Sequence, residues 1–342
     1  MKRILIGLLG YTFASQHMIA QTDSIANTQE LKDVVVKATN GIKSKYRIDN
    51  TDIIGQGQLI RAACCNLGES FTTNPSVDVS YSDATTGAKQ IKLLGLSGTY
   101  VQMLTENIPN LRGAALPYSL GYVPGPWMQS IQVSKGASSV KNGYESTTGQ
   151  INIEFLKPQG TDGVRANVYQ DNELKTEVNL DGSIHLTDRL STATLLHFEN
   201  RQMAHDGNAD GFMDMPKLRQ YNLMHRWAYV SQGWISQLML RGLHDEHEGG
   251  QSLKHAGGAL TEPLYTTWVK TNRYEMQWKN GFTLNADHNT SIALMLHGSW
   301  HDADHIFGTT QYDVTQKNGY AQLMFETDIN DKHNISVGAS FN

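Results

Sequence analysis

The chain has 342 residues, 28 Lys and Arg against 33 Asp and Glu for a formal net charge of −5, and 39% hydrophobic residues. This balance supplies no basic field, so nucleic acid is set aside as a partner. No segment after the N-terminal run approaches eighteen uninterrupted apolar residues, which excludes a transmembrane helix but not a closed sheet that satisfies its own backbone.

In chain order, Met1-Lys-Arg3 is basic, Ile4 to Phe13 is apolar over about ten residues, and Met18-Ile-Ala20 offers a small residue before Gln21. Residues 1–20 therefore read as a secretory signal peptide cut after Ala20. Residues 21–45 read as a periplasmic leader, polar and without apolar periodicity apart from one β-prone stretch, Leu31-Lys-Asp-Val-Val-Val-Lys-Ala38. A lone strand cannot stabilise itself, so this one needs a partner strand, which another protein can supply.

Residues 46–158 read as a compact α+β domain. Gln58 to Ala63 is expected as a short helix with Leu59 and Ile60 inward. Asn74 to Ser80, Gln90 to Leu96, Tyr100 to Leu104, Ile131 to Val133 and Ile151 to Phe155 are β-prone, punctuated by turn glycines such as Gly95, Gly98 and Gly136. Cys64 and Cys65 are adjacent and belong to no disulfide framework or completed zinc motif. They read as two small buried residues, with a vicinal disulfide or thiol pair as the alternative.

From residue 159 to 342 the grammar changes to period-two segments of roughly ten residues. In Lys175 to Leu186, Thr176, Val178, Leu180, Gly182, Ile184 and Leu186 share one face, while Lys175, Glu177, Asn179, Asp181, Ser183 and His185 share the other. One face fits lipid and the other a wet lumen. Val164 to Gln170, Leu190 to Asn200, Arg219 to Ser231, Trp234 to Glu246, Thr267 to Asn280, Asn289 to Asp302, Lys317 to Asp328 and His333 to Phe341 bring the expected strands to about nine. Tight turns at 186–190, 231–234 and 328–333 alternate with longer polar connections at 201–218, 247–266 and 303–316, the asymmetry of periplasmic turns and outer loops. A plug-bearing barrel has about 22 strands, so the barrel is expected to be incomplete in this chain, as a truncated product, a remnant or a partial sequence.

Two histidine pairs, His244 with His247 and His301 with His305, sit where strands run toward outer loops and read as solvated loop residues. Neither forms His-Glu-x-x-His, and a hydrolase reading lacks a third ligand and base. Asp206, Asn208, Asp210 and Asp214, with Gly211 at the bend, follow the first part of a calcium loop. Lys217 stands where an EF-hand needs Glu, which leaves a calcium-ordered outer loop or a plain polar turn.

Ile131-Gln-Val-Ser-Lys-Gly-Ala-Ser-Ser-Val-Lys-Asn-Gly-Tyr-Glu-Ser-Thr147, followed by Thr148-Gly-Gln-Ile-Asn-Ile153, resembles the closing motif of the plug domain of TonB-dependent outer-membrane receptors. Leu31, Lys32, Asp33, Val34, Val35 and Val36 resemble the TonB box of receptors of the Bacteroidetes lineage. Ile91 to Leu96 and Val101 to Pro109 resemble the family's strand, Arg-Gly-Leu turn and Asp-Gly hairpin, except that Leu94 replaces Arg and Glu106-Asn107 replaces Asp-Gly. Those departures weaken the transfer of a plug–barrel salt bridge to this chain.

The resemblance implies a plug followed by antiparallel transmembrane β-barrel strands in the bacterial outer membrane, with no enzymatic activity. It also implies energised uptake of a scarce nutrient such as a ferric siderophore, haem or cobalamin. TonB, outer-membrane lipid and a small-molecule or metal-chelate substrate are the expected partners. No cofactor is required, calcium in the outer loop being the one candidate. Ligand contacts are expected at the plug apex, from Tyr81, Asp83, Asn110, Arg112 and Tyr118. The alternatives are a non-transporting binding or signalling receptor and an inactive remnant.

Overall fold

The computed structural model describes residues 51–342 apart from 62–64, 73, 137–139, 144, 161, 253–262 and 331. The expected signal peptide, the leader with its box at Leu31 to Val36, and Cys64 lie outside the described residues.

The plug begins with β1 (Thr51–Gly55), which runs directly into α1 (Gln56–Arg61). Leu59 is buried, whereas Ile60 is 69% exposed, against the expectation that both face inward. Neighbours on a helix diverge by about 100°, so one turn cannot bury two consecutive side chains under a single sheet. The strands β2 (Val77–Asp83), β3 (Ala88–Leu93) and β4 (Leu96–Ser97) form a three-stranded sheet. A five-stranded sheet takes the order β1-β7-β8-β5-β6, using β5 (Val101–Thr105), β6 (Ile108–Pro109), β7 (Met128–Lys135) and β8 (Gly149–Phe155). Only β5 and β8 pair in parallel. Ile131, Val133, Ile151, Ile153, Phe155 and Trp127 are fully buried beneath it.

Two plug hairpins close through two-residue turns, Leu94-Gly95 and Glu106-Asn107, with positive φ at all four positions. Such turns match the twist of the flanking strands. A left-handed non-glycine residue costs roughly 1–2 kcal/mol, so the glutamate at position 106 must be held by something else.

Nine further strands form one sheet in sequence order, every pair antiparallel: β9 (Gly163–Gln170), β10 (Thr176–His185), β11 (Leu190–Arg201), β12 (Lys217–Val230), β13 (Trp234–Gly250), β14 (Thr266–Asn285), β15 (Thr290–Phe307), β16 (Thr310–Asn330) and β17 (His333–Phe341). These are the nine segments of alternating sequence. The connection expected at 303–316 is instead ladder. β15 and β16 stay in register up to Phe307 opposite Thr310, because the alternation of inward and outward residues continues past Asp302.

The sheet is inside out by the standards of a water-soluble protein. Along β14, Thr271, Arg273, Glu275 and Gln277 are buried against the plug, while Tyr274, Met276 and Trp278 between them stand exposed on the far face. In β10, Glu177 and Asn179 are buried, and Val178, Leu180 and Ile184 are exposed. An outward apolar face with polar residues inward is the arrangement a bilayer selects. Short connections join β10 to β11, β12 to β13 and β14 to β15 at one end, and the longer segments 202–216 and 251–265 lie at the other. At the short-turn end, Trp234 stacks on Phe282 with ring centres 6.0 Å apart and meets Tyr229 at 4.8 Å, an aromatic cluster of the kind that membrane boundaries select. Among the described residues no helix is long and apolar enough to cross a membrane.

Candidate functional site

The plug meets the wall at three levels. Nearest the short turns, the β5–β6 hairpin delivers Glu106 into a cage of cations. Its carboxylate lies 2.7 Å from Arg226 Nη2 of β12, 2.5 Å from Lys157 Nζ and 3.4 Å from Lys279 Nζ of β14. Lys279 also donates to the Glu106 carbonyl at 2.5 Å, and Gln277 donates to its carboxylate at 3.3 Å. Burial by itself would push this carboxyl up, but Arg226, Lys157 and Lys279 outweigh it and hold the group well below the usual carboxylate range. Together these contacts hold the left-handed turn in place.

At mid-height, Asn110 donates to Glu275 Oε1 at 2.9 Å and accepts from Arg273 Nη2 at 2.7 Å. Glu275 also accepts from Arg241 at 3.1 Å, and Arg241 donates to the carbonyl of Tyr122, which accepts from Asn222 at 2.8 Å as well. Tyr122 Oη donates to Thr271 at 3.3 Å. The expected ligand residue Asn110 is therefore placed 3% exposed between plug and wall.

At the end bearing the long connections, the β2–β3 loop folds over Asp83, whose oxygens accept from Thr85 N at 3.0 Å, Thr85 Oγ1 at 2.6 Å and Thr86 Oγ1 at 2.7 Å. Burial opposes the charge on Asp83, but these bonds prevail and lower its carboxyl below the ordinary value. Tyr81 is 47% exposed, with Lys89 Nζ 5.4 Å from its ring centre. Arg112 pairs with Glu145 at 2.7 Å and also reaches the Asn342 side chain.

Tyr118 packs between two wall histidines, its ring centre 5.7 Å from His247 and 5.5 Å from His305. Beside it a cavity of about 750 Å³ opens between the 113–118 segment and the outer halves of β15 and β16, lined by Tyr118, His305, Phe307, Tyr312, Gln316 and Lys317 among others. Of the five expected ligand residues, Tyr118 borders this cavity, Tyr81 is open to solvent, and Asp83, Asn110 and Arg112 are engaged by protein partners.

The reading of the histidines as solvated loop residues is corrected. His301 is 1% and His305 6% exposed on the inward face of β15, and His247 is tied to the plug. His247, His301 and His305 lie on strands that continue beyond the expected ends and are covered by the plug, whereas His244 stands partly exposed on the outward face of β13 beside Tyr221.

In the outer connection after β11, Asp206 accepts from Asp210 N and Gly211 N, Asn208 accepts from Asp210 N, Asp210 accepts from Phe212 N, and Asp214 accepts from Gly207 N. Among the described residues no group of three or more His, Cys, Asp or Glu is placed to hold a metal ion. Cys65 is buried, and burial pushes its thiol up. Sequence reasoning missed the charged set of Glu106, Arg226, Arg241, Arg273, Glu275 and Lys279. Its signal was present in ionisable residues at inward positions of alternating strands.

The family described as the TonB-dependent receptor plug domain matches residues 46–150. No curated protein matches the sequence. Similar solved structures include the siderophore receptor PiuA from Acinetobacter baumannii, with a TM-score of 0.66 at 12% identity over 85% of this chain and 45% of that one. The ferric enterobactin receptor PfeA from Pseudomonas aeruginosa gives 0.64 at 13% identity, and the ferric-catecholate import receptor Fiu from E. coli K12 gives 0.60 at 15%, each over 85% of this chain and 48% of the other. At these identities the likeness is one of fold, and the chain spans about half the length of the receptors it matches. Residues 46–150 therefore form a TonB-dependent receptor plug domain, seated against a sheet whose fold is like that of those receptors.

Proposed function

We propose that this chain carries the plug and part of the barrel of a transporter that admits a scarce nutrient through the outer membrane when TonB engages it. The observation that carries the reading is the seat of the plug. It is held to the wall by buried ion pairs from Glu106 to Arg226 and Lys279 beside an apolar contact that includes Leu195, Met224, Met239 and Val269, a seat of discrete side-chain contacts with no sheet hydrogen bonds across it, stable at rest yet separable by force. Leu31 to Val36 is the segment that would join a sheet edge of TonB, main-chain bonds giving affinity with little demand on sequence. At about 0.5–1.5 kcal/mol net per hydrogen bond, a few such bonds form and break readily.

The ligand face is the apical cavity, where Tyr118 and Tyr312 offer aromatic surface for an aromatic chelate. A ferric siderophore is the leading substrate class, with haem and cobalamin as the other members. PiuA is a siderophore receptor, PfeA a ferric enterobactin receptor and Fiu a ferric-catecholate import receptor, whereas the similar structure OprC, with a TM-score of 0.55, is a copper transporter. The test is accumulation of labelled ferric chelates, haem and cobalamin by cells bearing the protein, with and without a protonophore and with residues 31–36 deleted. Uptake abolished by both treatments supports transport. Binding that persists under both, without accumulation, makes the protein a non-transporting receptor.

A further inference from the structure

The apical loop of the plug is fastened to the wall through one histidine whose two ring nitrogens both face acceptors. His247 Nδ1 donates to the Thr86 carbonyl at 2.8 Å, and Nε2 lies 2.9 Å from Asp245 Oδ2. A neutral imidazole carries one N–H and one lone pair, so it would turn a lone pair toward one of these oxygens. Asp245 is fully buried. Its Oδ1 accepts from Gln220 at 2.9 Å, and its Oδ2 has no hydrogen-bond donor, so the charge facing that oxygen has to come from the ring. A buried carboxylate without a nearby cation is strongly disfavoured.

We infer that His247 is a proton-dependent clamp: as an imidazolium it bridges Asp245 of the wall to Thr86 of the plug and holds the apical loop 83–87 against β13 and β14, and loss of its proton releases that loop.

The surroundings leave this ring as the group that titrates. On β13, Glu248 is paired with Lys217 of β12 at 2.8 Å. On β12 and β14 the residues opposite His247 are Leu218 and Val269, which carry no charge. From the plug, Asp83 is engaged by Thr85 and Thr86, and Tyr118 presents its ring. From β15, His305 lies on the far side of Tyr118. The seat has little slack to take up a lost bond. A Cβ on Gly249 would fall 1.8 Å from the Thr85 carbonyl oxygen, one on Gly87 would fall 3.0 Å from Pro216, and Thr267 donates to Thr85 O at 3.2 Å. Because Tyr118 and the ligand cavity adjoin this loop, releasing it would alter the shape of the apical surface.

The test is amide hydrogen exchange of segment 83–88 in the purified full-length chain in micelles, corrected for intrinsic rates, across pH 5.5 to 9. Protection is expected to fall by about tenfold or more on the alkaline side while β5 and β8 stay protected. In D245N the ring has no carboxylate to face, so the pH step should disappear with the core strands unchanged. Protection of 83–88 that stays constant across this range in the unmodified protein overturns the clamp, as does a pH step that survives unaltered in D245N. Neither readout depends on transport, so failure here would leave the uptake proposal standing.

Discussion

Arg226 of the wall and Glu106 of the plug meet at 2.7 Å with both side chains 2% exposed or less. This charge pair runs across the boundary between plug and wall. Breaking a buried pair by removing one partner typically costs about 3–5 kcal/mol, because the remaining charge stays buried and unpaired. Glu106→Gln leaves Arg226 and Lys279 facing a neutral amide at a strained turn. Plug stability by urea denaturation should fall by about that amount, and protection of the β5–β6 hairpin against exchange should fall with it.

The same group predicts an acid limb. The cations hold the Glu106 carboxyl well below its ordinary value of 4.5 despite burial. Its contribution is therefore complete above that value and is lost as pH falls through the depressed one. Urea midpoints of the unmodified protein should drop steeply below about pH 4.5, and Glu106→Gln should flatten the drop. An acid limb of equal depth in both proteins would place its origin in other carboxylates.

Gly149 opens β8 with φ +153°, and a Cβ there would fall 2.1 Å from the Ser134 carbonyl oxygen and 2.5 Å from Leu93 Cδ2. The first contact is backbone on the paired strand β7, which cannot turn aside. Gly149→Ala should destabilise the plug by about 2–4 kcal/mol, and the loss should register in the plug's unfolding transition while the wall's far-ultraviolet signal persists.

The nine wall strands were legible because period-two patterning survives in each, with Val178, Leu180 and Ile184 on one face of β10 against Glu177 and Asn179 on the other. The plug's closing strands were legible for the same reason. What stayed hidden depends on contacts distant in sequence. Nothing local to Glu106-Asn107 announces Arg226 or Lys279, more than a hundred residues away, and the replacement of Asp-Gly looked like the loss of a salt bridge. The histidines misled for a related physical reason. Polarity near a predicted loop reads as solvation, but inside a plugged wall a polar inward face is a buried face. The extent of β15 and β16 was missed because the charges at Asp302, Asp304 and Asp313 and the polar run Gly308 to Gln311 read as a loop, although Ala303, His305 and Phe307 keep the inward side of the alternation.

The outward face of β12 supplies the direct test of the membrane reading. Leu223 is 47% exposed between the buried Asn222 and Met224, and it lies opposite Leu196 of β11, itself 41% exposed. On a water-washed surface Leu223→Arg would change stability by no more than about 0.5 kcal/mol. Facing hydrocarbon near the midplane, the same change costs about 2–4 kcal/mol, falling toward zero at the interfaces. Urea titrations of the protein folded into phosphatidylcholine vesicles should therefore show the larger loss for Leu223→Arg. Tyr229→Arg, beside Trp234 in the aromatic cluster, should lose markedly less. Equal and negligible losses at both positions would mean that the exposed apolar face meets water, and the barrel reading would fall with it.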